Sequence, residues 1–426
     1  MLIRPRPSSR KPIVGRYFSA LLAAWLFTGS ARAAERQPAP LTERDVVERT
    51  LQRAALTDTI EGTVEIEAGR ARASRAHPNP QLSYLREQTF GTSGTGEDYL
   101  SIVQVVDLGS RRRLQGKAGE VRAQAAAQDG GAIRAATVAE ARVRFFEVLY
   151  RQDRIAALEG WRVRIDESLA IVARRESKGD ASTYERRRLE RERAVATGRL
   201  DTERATLERA RAELRALLGE TAPRGGVRVT GDLLPTEDPA ELEALRTTSR
   251  SRPDLRALDM RVRAAAFDRK SASRWWLPDL RVEGGWKGVD LGRLGRSDGF
   301  LVGAALTLPL WDRSLGPTRI AQGEARTARG RRVLLESEID SALEGARAEA
   351  VLLRRAATEF RTQATSASVD LVRTASAGYA GGELGLLELL DAYRGAADDS
   401  LGALDMDRAA RRARIELDRL TGTGLP

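Results

Sequence analysis

Lys178-Gly179-Asp180-Ala181-Ser182 and Gly381-Gly382-Glu383-Leu384-Gly385 are two glycine turns set in long stretches without proline. Gly179 and Gly382 lie 203 residues apart, and so do Leu217 of Leu217-Leu218-Gly219 and Leu420 of Leu420-Thr421-Gly422. Pro80-Gln81-Leu82 and Pro278-Asp279-Leu280 repeat at 198 residues. Proline marks the same duplication, with none between Pro80 and Pro223 and none between Pro317 and Pro426. A period this long is no solenoid unit. The chain reads as two copies of one half-architecture, each built on very long helices.

Working outward from the turns, each copy has the same order. Thr42 to Ala76 reads as a helix opened by the capping-box-like Thr42-Glu43-Arg44-Asp45. The period then changes. Leu82, Tyr84 and Leu85 lead into the loop Gly91-Thr92-Ser93-Gly94-Thr95-Gly96, and Tyr99 to Val106 is apolar and β-branched, giving strand, loop, strand. Arg111 to Lys178 is a proline-free helix of 68 residues, ~100 Å long at ~1.5 Å per residue. Gly130-Gly131 inside it marks a bend or a close contact. Ser182 to Leu218 is the return helix. The second copy repeats helix (238–273, irregular at Pro253), strand (280–288), strand (300–308), long helix (318–378) and return helix (386–420). Thr42–Ala76 and Ser182–Leu218 together match the long helix in length, so two short helices stacked end to end line one long one. Ile339, Leu343, Ala346, Ala350, Leu353, Ala357 and Phe360 are spaced four and three alternately, a coiled-coil seam.

The first residues are of another kind. Arg4, Arg6, Arg10, Lys11 and Arg16 precede an apolar stretch, Phe18 to Phe27, and the small-x-small site Ala31-Arg32-Ala33. This is the pattern of a secretory signal peptide, too short to span a bilayer. Leaving out residues 1–33, with six Lys/Arg, changes the whole-chain charge of +11 to +5. The mixed-sign helices that remain exclude a nucleic-acid partner, which needs clustered unpaired cations. With no cysteine and one histidine, His77, no metal site and no thiolate chemistry are expected. No phosphate-cradling glycine loop or nucleophile elbow is present, so neither an enzyme nor a cofactor is expected. The organisation expected is 1–33 signal peptide, 34–220 first repeat, 221–237 linker or equatorial segment, and 238–426 second repeat.

The strands carry the functional argument. Leu280, Val282, Gly284 and Trp286 alternate with Arg281, Glu283, Gly285 and Lys287, one apolar face and one polar. In a soluble protein the apolar face would pack on helices. In an outer membrane it meets lipid while the polar face lines a lumen. Four of the six tryptophans, Trp275, Trp276, Trp286 and Trp311, lie in or beside the second strand pair, as membrane-interface aromatics do. A membrane sheet cannot leave open edges. Four strands per chain must therefore be pooled between chains, and a wide lumen favours three.

Here the chain resembles the outer membrane factor (TolC-like) family of efflux ducts, over about Leu41 to Gly422. The carriers are the duplicated order, Asn79-Pro80-Gln81-Leu82, Leu308-Pro309-Leu310 with Asp312 and Gly316, and above all Gly382-Glu383-Leu384-Gly385-Leu386-Leu387-Glu388-Leu389-Leu390-Asp391-Ala392. The stretch Gln104 to Arg112 is most similar to the CzcC-like branch serving heavy-metal resistance pumps. The resemblance implies a mainly α fold with a small β part. Long antiparallel coiled-coil hairpins would form a periplasmic tunnel, and four strands per chain would join a trimeric twelve-stranded outer-membrane β-barrel. It implies a homotrimer in the outer membrane of a Gram-negative bacterium, working with a periplasmic adaptor protein and an inner-membrane pump of the RND type. Glu388 and Asp391 match the acidic rings of the periplasmic gate and Tyr379 its bonding network. Glu388 stands where aspartate is usual. Gly179, Asp180, Gly382 and Glu383 would be hairpin tips that dock the adaptor. In the first hairpin the gate positions are held by Glu185 and Arg188. The rival reading is a periplasmic or secreted coiled-coil structural or adaptor protein. Adaptors carry one hairpin, whereas this chain has two hairpins and two strand pairs. The exported substrate is set by the pump and is not written in this chain.

Overall fold

The computed structural model describes residues 39–91, 94–223, 226–308, 310–311 and 313–422. The expected signal peptide, Thr92 and Ser93 of the first strand loop, and Pro309 and Asp312 lie outside the described residues. Each repeat opens with two short helices, α1 (Glu43–Leu51) and α2 (Ala54–Arg75), then α5 (Leu242–Ser249) and α6 (Pro253–Ala272). Strand pairs follow, β1 (Gln81–Gln88) with β2 (Gly96–Asp107), and β3 (Asp279–Asp290) with β4 (Arg296–Leu306). The long helix of the first repeat is α3 (Arg111–Glu176), returning as α4 (Thr183–Leu218). That of the second is α7 (Leu315–Phe360), continued through a π-turn (Arg361–Thr365) into α8 (Ser366–Gly381), and it returns as α9 (Leu386–Thr421).

The expected opening helices are each broken in two, and the cause is tertiary. At the first break Arg53 adopts an extended conformation, and its Nη1 donates to the carbonyl of Leu217 at 2.9 Å. At the second, Arg252 precedes Pro253 and donates to the carbonyls of Arg419 (3.2 Å) and Leu420 (2.8 Å). Leu217 and Leu420 are the residues that mark the duplication. Each arginine thus caps the carbonyl end of its repeat's return helix, where backbone acceptors have no partner inside the helix. The glycines just beyond, Gly219 and Gly422, have positive φ, and a Cβ on either would lie 3.1 or 3.2 Å from the stapling arginine.

α3 is 66 residues long, about 100 Å at ~1.5 Å per residue. It is flanked by α2 and α6 towards the sheet and by α4 and α9 away from it, while α7 packs on α6 and α9. Gly130-Gly131 is a close contact rather than a bend, because α3 runs through it with Gly130 against Ile60 and Gly131 against Pro253. The seam from Ile339 to Ala357 is inside: Ile339, Leu343, Ala346, Ala350 and Ala357 are buried. Phenylalanines 145 and 146 centre a core at the joint between short and long helices, with Leu214, Leu218, Val227 and Val229. The linker crosses that joint strapped by Arg411, which donates to the carbonyls of Asp232, Leu233 and Leu234.

Candidate functional site

Two regions carry the chemistry expected of the chain, the sheet and the hairpin tips. The four strands form one antiparallel sheet in the order β1-β2-β3-β4. The register puts Tyr84, Leu100, Trp286 and Phe300 in one cross-strand row. The next rows on that face are Leu82, Ile102, Gly284 and Val302, and then Gln104, Val282 and Ala304. This face is apolar and open, with Phe300 86% and Val302 76% exposed. The opposite face is ionic, where Lys287 pairs with Glu97 at 2.8 Å and Ser101 donates to Glu283 at 2.7 Å. Side chains alternate because successive residues of a strand point to opposite faces. Burying apolar groups inside and charges outside is the soluble arrangement, and here none of the described residues covers the apolar face.

Aromatic side chains bracket that face. Trp286 is half-buried under the guanidinium of Arg296, 5.2 Å from the ring centre. At the helix end, Trp311 and Trp276 are exposed and Trp275 is half-buried. Among the described residues, β1 and β4 each have a strand on one side only. Such edges are a liability unless another chain pairs with them.

At the tips the two turns share one geometry. Gly179 has φ +83° and Gly382 has φ +78°, with open space where a Cβ would stand, so glycine is needed there for conformation and not for room. The amide of Asp180 donates to the carbonyl of Arg175, and that of Glu383 to the carbonyl of Gly378, each at 2.9 Å. These are the same six-residue closures of the helix end. Beyond the turns the repeats part. α4 starts on a capping box, Ser182 receiving from the Glu185 amide and the Glu185 carboxylate receiving from the Ser182 amide. α9 starts on Gly385, which offers no side chain. Its third residue, Glu388, is the counterpart of Glu185. Among the described residues, neither Glu388 nor Asp391 has an ion-pair partner within 4.0 Å, and both are exposed. They lie three apart on one face of α9. Arg188, at the place of Asp391 in the first hairpin, lies 3.3 Å from the Tyr184 hydroxyl.

Tyr379 is not beside those carboxylates on the surface. It is buried beneath the guanidinium of Arg175, 5.2 Å from the ring centre, and Arg175 also donates to the carbonyl of Ala380 at 2.9 Å. Burial, with the negative charge of Glu185, pushes the Tyr379 hydroxyl up, against the pull of Arg175. So Tyr379 ties the end of the first hairpin to the second.

Two further ties between the hairpins escape sequence reasoning. Tyr393 places its hydroxyl 3.3 Å from both Ser168 and Ser376. Arg394 grips Glu192 with two nitrogens, Nε to Oε1 at 2.7 Å. Glu192 is only 3% exposed. The Arg394 hydrogen bond holds its carboxyl below the usual carboxylate range, against the effect of burial. No residue type or spacing marks this pair among the many Arg and Glu of α4 and α9.

The described residues contain no helix long and apolar enough to cross a membrane, which says nothing of strands. Nor do they contain a cluster of three or more His, Cys, Asp or Glu suited to a metal.

No protein-family model matches the chain. In sequence it is similar to the cobalt-zinc-cadmium resistance protein CzcC of Cupriavidus metallidurans, 25% identical over 352 residues, 82% of either chain. In structure it is similar to the MtrE outer membrane channel of Neisseria gonorrhoeae, with a TM-score of 0.70 and 18% identity over 90% of this chain and 89% of that one. It is likewise similar to the outer membrane protein VceC of Vibrio cholerae, with a TM-score of 0.69 and 16% identity over 90% and 97%. The likeness runs through sheet and helices together, and supports the resemblance read from the tip and strand motifs.

Proposed function

We infer that this chain is an outer-membrane efflux channel of the outer membrane factor (TolC-like) family, the outermost component of a tripartite export system. The observation that carries it is the four-stranded sheet, which among the described residues has an uncovered apolar face, an ionic opposite face and two open edges, set on helices about 100 Å long. In the proposed assembly β4 of one chain pairs with β1 of the next, and three chains close a twelve-stranded barrel. β1 and β4 are antiparallel in the sheet, so a head-to-tail ring keeps every pairing antiparallel. The outward face takes the hydrocarbon of the outer membrane of a Gram-negative bacterium, with Trp275, Trp276, Trp286 and Trp311 at its borders. The helices continue the barrel into the periplasm.

The tips are the proposed gate and docking end. Three copies of Glu388 and Asp391 around one axis would concentrate unpaired negative charge and draw cations. Tyr379 would set the rest position of the second hairpin. Gly179, Asp180, Gly382 and Glu383 would meet a periplasmic adaptor protein, itself bound to an inner-membrane pump of the RND type. Similarity to a cobalt-zinc-cadmium resistance protein supports divalent metal ions as the cargo. Conductance in planar bilayers tests the reading. The wild type should form cation-preferring pores, and Glu388→Ala with Asp391→Ala should lose most of that preference and of block by multivalent cations. A protein that leaves the cell envelope without detergent, as a soluble species, would end the channel reading. Unchanged selectivity in the double variant would remove the two acids from the gate.

A further inference from the structure

The long helix of the second hairpin contains a break that the first does not. α3 runs unbroken for 66 residues, whereas α7 passes into α8 through the π-turn Arg361–Thr365. A π-turn fits one extra residue into a helix and weakens its hydrogen bonding, and it is usually kept for a purpose.

The seam records the extra residue. Ile339, Leu343, Ala346, Ala350 and Ala357 are buried, with Leu353 partly so, at alternating spacings of four and three. Extended past Phe360, that rhythm would bring Ala364, Ala367 and Leu371 inside. Instead Ser368, Ala375 and Tyr379 are buried with Val372 partly so, each one place late, and Leu371 is 62% exposed. The helix therefore consists of two seams out of phase by one residue. They also belong to separate cores. Leu353 is the last residue of this helix packed into the core around Leu255, Leu343 and Leu417. Val372 is the first packed into the core around Trp161, Leu189 and Leu389. Between them the apolar contacts end at Ala357, which is buried, and Phe360, half-buried against Gly402, and from Arg361 to Leu371 no large apolar side chain of this helix is buried. Thr362 and Ser366 bend their hydroxyls back onto carbonyls three and four residues earlier, and the buried Thr365 hydroxyl has no hydrogen-bond partner among the described residues.

One strong bond sits at the break. Arg361, the first residue of the π-turn, grips Asp407 of α9, its Nε lying 3.1 and 2.9 Å from the two carboxylate oxygens and its Nη2 closing the fork. Asp407 is fully buried. A bidentate fork fixes direction as well as distance, so the pair marks one point while the helices on either side belong to different cores.

We propose that the π-turn with the Arg361–Asp407 pair is the hinge about which the tip half of the second hairpin, α8 and the start of α9, swings against the rest of the wall. Its use as the duct's opening joint rests on the channel reading above. The hinge itself does not.

Deleting Gln363 is the direct test. It removes the extra residue and brings Ser368, Val372, Ala375 and Tyr379 onto the spacing set by Ile339 to Phe360, so the helix can run straight. The chain has no cysteine, so Val163→Cys with Leu371→Cys carries one spin-label pair, read by double electron–electron resonance in oligomers diluted with unlabelled chain. The full-length channel should give a broad distance distribution. The deletion should narrow it at least twofold and cut the open probability in bilayers about tenfold. Asp407→Asn, with the hinge unpinned, should broaden the distribution and raise the open probability. A deletion variant with the width and opening of the wild type would overturn the proposal. If the deletion does not assemble, an Asp407→Asn width equal to the wild type overturns it as well. If the wild type itself forms no pore, the channel reading falls, while the distance widths still decide the hinge.

Discussion

Replacing Arg394 by alanine isolates the tie between the two hairpins. Glu192 is 3% exposed and would remain in the interface with its charge unmatched, whereas Arg394 itself is 41% exposed. Breaking a buried pair by removing one partner costs ~3–5 kcal/mol. Water and salt reach the outer side of this guanidinium, which lowers the expected cost to about 2–3 kcal/mol. At ~1.4 kcal/mol per decade that is a ~30- to 150-fold greater local opening. The assay is hydrogen–deuterium exchange of the segment 386–400 in the assembled protein. Arg394→Ala should speed exchange there by that factor and leave the strands unchanged. Glu192→Gln with Arg394→Ala should recover most of the loss, because no buried charge is stranded. The pH course follows from the sign of the shift. The folded-state carboxyl of Glu192 lies below its ordinary value, so its stabilisation is complete above ~4.3 and is lost as pH falls through the folded value. In the single variant a stranded carboxylate takes up a proton more readily, so its deficit should shrink as pH is lowered from 7 to about 5, once intrinsic exchange rates are corrected. A double variant no better than Arg394→Ala, or a deficit that does not change with pH, would refute the argument.

The sheet and the staples give two more tests. Val302→Lys, on the apolar face, should cost ~2–4 kcal/mol of barrel stability if that face meets the bilayer midplane, whereas Leu301→Lys on the opposite face should be tolerated; the amount of heat-resistant oligomer in outer membranes reads both. Arg252→Ala removes charged hydrogen bonds to the Arg419 and Leu420 carbonyls and should lower the unfolding free energy by ~2–3 kcal/mol in denaturant titration; Arg53→Ala, which loses one such bond to Leu217, should cost less.

What sequence reasoning could reach was decided by range. The turns at Gly179 and Gly382 were legible because positive φ restricts the choice of residue locally. The strands were legible because the period-two alternation is written in the strand itself, as in Leu280 to Lys287. Helix breaks at Arg53 and at Arg250–Arg252 were legible only where Pro253 stands. The first is imposed by a carbonyl 164 residues later in the chain, and no local propensity encodes that. Glu192 and Arg394 look like any other solvated charges on helices, and only packing sets them apart. The π-turn was out of reach for the same reason. Its sign in the sequence is a one-residue slip after Phe360, and small residues such as Ala364 and Ser368 blur any apolar rhythm there.

The duplication is kept strictly where the chain must hold its length. Both repeats use an arginine at a helix break to cap the return helix, and both close their tips with the same bond from residue six to residue one of the turn. They part at the first turn beyond the tip. Ser182 and Glu185 satisfy each other, so the carboxylate of Glu185 is spent on the backbone of its own helix. With glycine at 385 in place of that serine, no hydroxyl receives the Glu388 amide, and among the described residues the Glu388 carboxylate has no ion-pair partner, although its Oε2 lies 2.9 Å from where a Cβ at 385 would stand. A glycine cap in place of serine forgoes roughly a few tenths of a kcal/mol. A wall needing only rigidity would gain by a serine at 385, and Gly385→Ser is therefore expected to stabilise α9 by receiving the Glu388 amide, while its Cβ, 2.9 Å from Glu388 Oε2, moves that carboxylate from its present place. On the proposed gate that substitution should weaken cation preference with Glu388 itself intact, a result that mere loss of a surface acid would not give.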